Sequence, residues 1–237
     1  MKLLALDTAT EACSAALWLN GEIVERFQLA PREHNRLILP MIDGLLTDAG
    51  LRLADLDALA FGRGPGSFTG VRIATGVIQG IAFASDLPVV PVSTLAAMAL
   101  EAMAETGCEL AMPSIDARMG EVYWAVYRRV TEDAVEPVVA EAVVSPDEVE
   151  SPAACNGIGI GSGWGAYEER LRQRLHAYAV SAVLAPRFPR AGHIARLAVP
   201  MAKTGVAVAA ENAQPVYLRD NVAKKPGSSQ NIPKYPL

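Results

Sequence analysis

Gly62-Arg63-Gly64-Pro65-Gly66-Ser67-Phe68-Thr69-Gly70-Val71-Arg72 is the stretch best suited to hold an anion, because it follows an apolar run and leads into a helical pattern. A glycine-rich turn at a helix N-terminus presents free backbone N–H groups and a positive dipole end to a phosphate or carboxylate. No Gly-Lys-Ser/Thr closes it, so it is not a Walker loop; Pro65, two residues before Ser67, excludes a nucleophile elbow. The same composition also suits a tight connection that needs positive φ and close helix–strand approach. Gly161, Gly163 and Ala166 have the spacing of a dinucleotide loop, but the next strand ends Leu184-Ala185-Pro186 with no acid for a ribose. That argues against nicotinamide or flavin and leaves Gly161 and Gly163, with Asp7 at the end of the first apolar run, as weak candidates for nucleotide contact.

Other reactive side chains are sparse. His34, His176 and His193 form no His-x-x-x-His or His-Glu-x-x-His pattern, and the residue one turn after His34 is Ile38. No metal site and no catalytic group is therefore expected. Asp116-Ala117-Arg118-Met119-Gly120-Glu121 reads as a salt-bridged hairpin turn that doubles as a possible functional rim. Arg170, Arg172, Arg174, Arg187 and Arg190 read as a solvated face, with RNA phosphates as the sharper alternative.

The elements that must carry these residues follow from periodicity. Lys2–Asp7, Cys13–Leu19 and Glu22–Leu29 read as three antiparallel strands, the last two joined by an Asn20-Gly21 hairpin turn. Asn35–Asp48 repeats apolar residues at helical spacing through Leu37, Ile38, Met41, Ile42, Leu45 and Leu46. A strand over 57–62, a helix over 71–85, a strand over 88–92 and a helix capped by Ser93 complete the first half. In the second half, strands over 109–116, 121–130 and 137–144, a helical turn over 146–150, a strand over 158–161, a helix over 167–175, a strand over 180–184 and a helix over 191–203 repeat the grammar. A β-β-β-α-β-α-β-α order used twice predicts an α/β protein with a duplicated actin-like (ASKHA, RNase-H-like) fold, each lobe a mixed sheet flanked by helices. The expected division is 1–106 and 107–222, with the last helix packing back on the first lobe and 223–237 as a mobile basic tail.

Composition limits what such a fold can do. The 237 residues carry 21 Lys and Arg against 26 Asp and Glu, a net charge of −5, so any polyanion would need a local basic patch or a second protein. Hydrophobic residues reach 51 %, more than a solitary monomer needs to cover. The second helix offers an address for the surplus: Gly76, Gly80 and Ala84 form a small-residue stripe beside Ile73, Val77 and Ile81. Cys13, Cys108 and Cys155 are odd in number and far apart, which argues for reduced thiols. No apolar run approaches the roughly 18 residues of a membrane span, and the expected location is the cytoplasm.

Five strings together resemble the TsaB (YeaZ) family: Leu6-Asp7-Thr8-Ala9-Thr10, the long glycine string, Pro91-Val92-Ser93-Thr94-Leu95, Asp116-Ala117-Arg118-Met119-Gly120-Glu121-Val122-Tyr123 and Pro215-Val216-Tyr217-Leu218-Arg219. They run in order over nearly the whole chain. The resemblance implies the ASKHA fold and a role in forming N6-threonylcarbamoyladenosine at position 37 of tRNA. In related actin-like ATPases and sugar kinases a glycine closely follows the Asp7 position; here Ala9 stands there. The catalytic relative TsaD holds a metal on a His-x-x-x-His helix, whereas this chain has His34 and Ile38. The implied role is thus a non-catalytic partner without a cofactor that docks on TsaD, with TsaE joining the pair, the same helices able to form a homodimer, and tRNA met only indirectly or weakly. The implied contact residues are Leu37, Ile38, Met41 and Leu45 on one helix and Ile73, Gly76, Val77, Gly80 and Ala84 on the next. An autonomous ATP-using enzyme of the sugar-kinase or actin class and a glycoprotease-like hydrolase are the competing expectations.

Overall fold

A computed structural model describes residues 1–152, 156–175 and 180–219; the expected tail over 223–237, Cys155 and His176 lie outside the described residues. The first half runs β1 (Lys2–Asp7), β2 (Ala12–Leu19), β3 (Glu22–Leu29), α1 (His34–Ala49), β4 (Ala58–Gly62), α2 (Phe68–Ser85), β5 (Val89–Val92) and α3 (Thr94–Thr106). The second runs β6 (Leu110–Arg118), β7 (Glu121–Thr131), β8 (Ala134–Val144), β9 (Gly157–Ile160), α4 (Ser162–Leu175), β10 (Val180–Leu184) and α5 (Ala191–Lys203).

The duplication is explicit in the sheets. The first has the order β3-β2-β1-β4-β5, and the second the same order shifted by five, β8-β7-β6-β9-β10. In each, the first strand pairs antiparallel with the second and parallel with the fourth. This is the RNase-H-like arrangement, and its repetition is the actin-like plan. Asn20 and Gly21 take φ of 55° and 115°, as a two-residue primed turn requires, and bring Leu19 opposite Glu22 and Ala12 opposite Leu29 in the β2–β3 hairpin.

Alternation along β1 sorts the core into layers. Leu4 and Leu6 pack with α1 and α2 on the outer face, through Ile38, Ile42, Leu45 and Ile78. Leu3 and Ala5 face the opposite way, into a layer built by α5 and α3. There the halves exchange helices: α5 packs on β1, β2, β4 and β5, while α3 packs on β6 to β9, and the two helices touch. The outer face of the second sheet carries α4 and a pair of buried indoles, Trp124 and Trp164, 5.8 Å apart.

The largest departures from the expected elements are at α2, α4, the turn over 146–150 and β8, which starts three residues early at Ala134. α2 starts at Phe68 because the Ser67 hydroxyl accepts the Gly70 N–H at 3.3 Å and caps it. α4 starts at Ser162 and kinks at Tyr167, where φ is −136°. The expected helical turn over 146–150 is one hydrogen-bonded turn, Glu148 N–H to the Ser145 carbonyl at 2.9 Å, so the second half has no counterpart of α1 there.

Candidate functional site

The glycine string uses its missing side chains to lie against the β1–β2 turn. The Ser67 N–H donates to the Ala9 carbonyl at 2.7 Å, and the Thr8 hydroxyl donates to the Gly70 carbonyl at 2.7 Å. A Cβ on Gly66 would stand 2.4 Å from the Ala9 oxygen, and one on Gly70 would stand 2.1 Å from the Thr8 oxygen. The loop thus serves the close approach that its composition also allowed. Asp7 lies beneath it, fully buried, with Oδ1 accepting the Ala9 N–H at 3.0 Å and Oδ2 without a partner. A Cβ on Gly62 would come within 1.9 Å of that Oδ2. Burial pushes the carboxyl up to about 7, with the Ala9 N–H pulling the other way.

The second glycine pair behaves alike. A Cβ on Gly161 would lie 2.3 Å from the Ser114 carbonyl oxygen, and one on Gly163 would lie 2.1 Å from the Ser114 hydroxyl, so both let the start of α4 press on β6. Asp7, Gly161 and Gly163, the candidates for nucleotide contact, thus lie against the protein's own backbone and side chains and outside the lining of the inter-lobe cleft.

What remains open is a cleft of about 800 Å³ in front of these residues, between the lobes. Its walls are Ala9–Glu11, the approach to α1 at Arg32 and His34, the start of α2 at Phe68 and Arg72, the β6–β7 hairpin at Asp116–Met119, and residues 216–219. Four of the five family-like strings converge here. The fifth supports the floor from behind: the Thr94 N–H donates to the Gly64 carbonyl at 3.0 Å, and the Ser93 hydroxyl both caps α3 and meets Glu141.

Polar ties cross between the lobes on both sides of the cleft. Arg118 holds Asp116 at 2.8 Å within its hairpin and Glu11 at 2.9 Å across the gap. Arg219 donates to the Ala117 carbonyl at 3.0 Å and pairs with Glu121, while the Val216 N–H donates to the Arg63 carbonyl at 2.8 Å. Tyr217 accepts from Arg72 Nε at 2.9 Å. Arg63 and Tyr127 reach Glu141 at 3.4 and 2.7 Å; burial and the Glu141 charge push the Tyr127 hydroxyl far above its ordinary value. The salt-bridged reading of the hairpin holds, and no local pattern in the sequence announced its partner Glu11.

His34 is buried at the start of α1 with Nε2 3.2 Å from the Ala12 carbonyl, a contact made by the tautomer protonated at Nε2. The basic cluster is dispersed and largely paired, Arg170 with Asp147, Arg172 with Glu168, Arg187 with Glu105 and Arg190 with Glu25. A cavity of about 590 Å³ near α3 and α5 contains Glu101, pushed up to about 7 mainly by burial, and His193, pushed down to about 4 by burial and nearby arginines.

The outer face of α1 and α2 is the other open surface. Ile38, Met41 and Leu45, expected as partner contacts, are buried in their own lobe because their stripe is the one that meets β1 and β2. That part of the expected contact set is corrected. Leu37, Ile73 and Val77 are half-buried at the edge of that core, and Gly76, Gly80 and Ala84 are exposed. A Cβ on Gly76 or Gly80 would meet nothing within 4 Å. Beside them Phe83 is 86 % exposed, and Leu39 on α1 is 54 % exposed. The sequence reading missed Phe83, although it stands seven residues after Gly76 and so shares its face.

A family profile described as "TsaD: tRNA N6-adenosine threonylcarbamoyltransferase" matches residues 27–226. The chain is 45 % identical over 228 residues to the tRNA threonylcarbamoyladenosine biosynthesis protein TsaB of Escherichia coli (strain K12), covering 95 % of this chain and 97 % of that one. The protein of the same name in Haemophilus influenzae is 41 % identical over 233 residues, covering 95 % and 96 %. Among solved structures, YeaZ from Pseudomonas aeruginosa is similar with a TM-score of 0.86 at 46 % identity, over 92 % of this chain and 99 % of that one.

Proposed function

The chain belongs to the TsaB (YeaZ) family, and from that premise we propose that it is a non-catalytic subunit of the cytoplasmic machinery that forms N6-threonylcarbamoyladenosine at position 37 of tRNAs reading codons that begin with A. It binds TsaD and keeps that subunit active, and TsaE joins the pair. The observation that carries this reading is the open face of α2. Two glycines in an exposed helix interior cost about 0.5–1 kcal/mol each relative to alanine. Among the described residues, nothing occupies the space their Cβ atoms would take. With Phe83 projecting beside them, the face suits close approach by helices of a second protein, contributing Ile73, Gly76, Val77, Gly80, Ala84 and Leu37 to a mixed bundle.

The absence of chemistry in this subunit is supported by the way its most reactive-looking groups are used. Asp7 is enclosed beneath Gly62, and His34 is engaged by the Ala12 carbonyl. In the absence of TsaD the same face would close a homodimer.

Gly80→Arg tests the reading. The position is open, so the variant folds and melts as the parent does, but a guanidinium at the centre of the stripe abolishes co-purification with TsaD and restoration of tRNA modification in a reconstituted reaction. Undiminished association of the folded variant would remove the interface, and full-rate modification without this subunit would remove the role.

A further inference from the structure

We infer that the mouth of the inter-lobe cleft binds one nucleotide of a single-stranded RNA segment, its phosphate on Arg32 and Arg72 and its base against the Phe68–Tyr217 pair. The choice of RNA as the source of that nucleotide rests on the tRNA-modification reading; the anionic, planar chemistry of the site does not.

Charge pairing isolates the site. Among the described residues, Arg32, Arg72 and Arg174 are the arginines with no carboxylate in ion-pair range, and two of these three line the same cleft. In a chain of net charge −5, two uncompensated guanidinium groups on one mouth form the local basic patch that a polyanion requires. Both helices that begin there add to it. The first turns of α1 and α2 contain no acid; the Glu33 carboxylate at the N-cap of α1 pairs with Arg36, and the Ser67 hydroxyl caps α2.

The apolar component stands next to the charge. Phe68 and Tyr217 remain 46 % and 43 % exposed with ring centroids 5.5 Å apart, and the Arg72 guanidinium lies 3.8 Å from the Phe68 centroid. A guanidinium held over one ring, with Nε hydrogen-bonded to the hydroxyl of another, keeps its two terminal nitrogens for a phosphate and stands beside aromatic faces for a base. The enclosed Asp7 and the docked glycine loop leave no room deeper in the cleft, so the ligand sits at the mouth, as an extended strand can.

Fluorescence anisotropy of an end-labelled anticodon stem–loop RNA with the full chain at low salt reads this directly. Arg72→Ala and Arg32→Gly each weaken binding about tenfold and lower the salt slope by about one. Arg174→Ala, which removes the unpaired arginine outside the cleft, changes neither. Arg32→Gly places glycine where φ is +70°, so it melts at or above the parent and separates lost binding from lost folding. Arg72→Lys restores the salt slope without the affinity, because it keeps charge and loses the plane. No binding by the parent chain, equal losses in Arg174→Ala, or equal affinity for a fully duplex RNA would each overturn the proposal. AMP binding as tightly as the RNA and displacing it would overturn the RNA assignment in favour of a free nucleotide. The measurement uses this subunit alone, so failure of TsaD association through Gly80 leaves it standing, and its own failure leaves that association untouched.

Discussion

The two lobes share a strand order yet cover their outer faces differently. The first sheet is covered by two helices, one of which turns an exposed Phe83 and two bare glycines outward. The second sheet has α4, a single turn after β8, and two large aromatic side chains in the remaining space. Trp124 and Trp164 are buried there with both indole N–H groups satisfied, by the Glu150 carbonyl at 2.9 Å and the Met112 carbonyl at 2.7 Å. Among the described residues, side chains fill the outer core of the second lobe, whereas the first lobe leaves Phe83 and the α2 glycines exposed. The first strands differ too: β1 ends at the enclosed Asp7, whereas β6 carries Asp116 to the cleft and pairs it with Arg118. The two copies of the duplicated fold thus cover their outer faces in different ways.

Three substitutions probe that division, in falling order of effect. Trp164→Ala removes the filler of the second lobe and should lower stability by about 3–5 kcal/mol in denaturant unfolding. A loss below about 1 kcal/mol would mean that the indole pair does not stand in for a helix. Asp7→Asn addresses the enclosed floor of the first lobe. Because the folded carboxyl is raised to about 7 from an ordinary 3.8, the folded state retains a proton that the unfolded state has released, and stability falls as pH rises between those values. Asparagine removes that slope, so the variant should gain on the order of 4 kcal/mol over the parent at pH 8 and far less at pH 4. Thermal melts of both proteins from pH 4 to 8 isolate the effect, since Glu101 and His193 titrate in each. Gly76→Ala should stabilise the isolated subunit by about 0.5–1 kcal/mol while weakening the complex with TsaD. A stabilised variant with undiminished association would show that the bare stripe serves no partner.

Much of the architecture was legible because local patterns carry it. β1, β3, β10 and α5 have the bounds their periodicity predicts, and Ser93 caps α3 as its position suggests. The start of α2 was hidden because Thr69 and Gly70 are weak helix formers whose place is fixed by a cap and by packing on Thr8. Periodicity identifies the apolar stripe of α1 but not what covers it, so it does not separate Ile38, Met41 and Leu45, which the lobe's own sheet claims, from residues free to meet a partner. Asp7 looked reactive for a similar reason: a carboxylate after an apolar run has one meaning at a cleft and another under a glycine. The hydrogen bond between Arg72 and Tyr217, two residues 145 positions apart, has no local signature.

The exchange of α3 and α5 between the sheets has a mechanical consequence. Each half supplies the lid for the other's core, so cutting the chain near Gly107 would strip both sheets at once instead of releasing two folded pieces. Rotation of the lobes about that point would have to drag a buried helix across a packed surface, which interiors at crystal-like density resist. The exchange thereby makes the protein a brace, and its two halves should unfold as one cooperative unit.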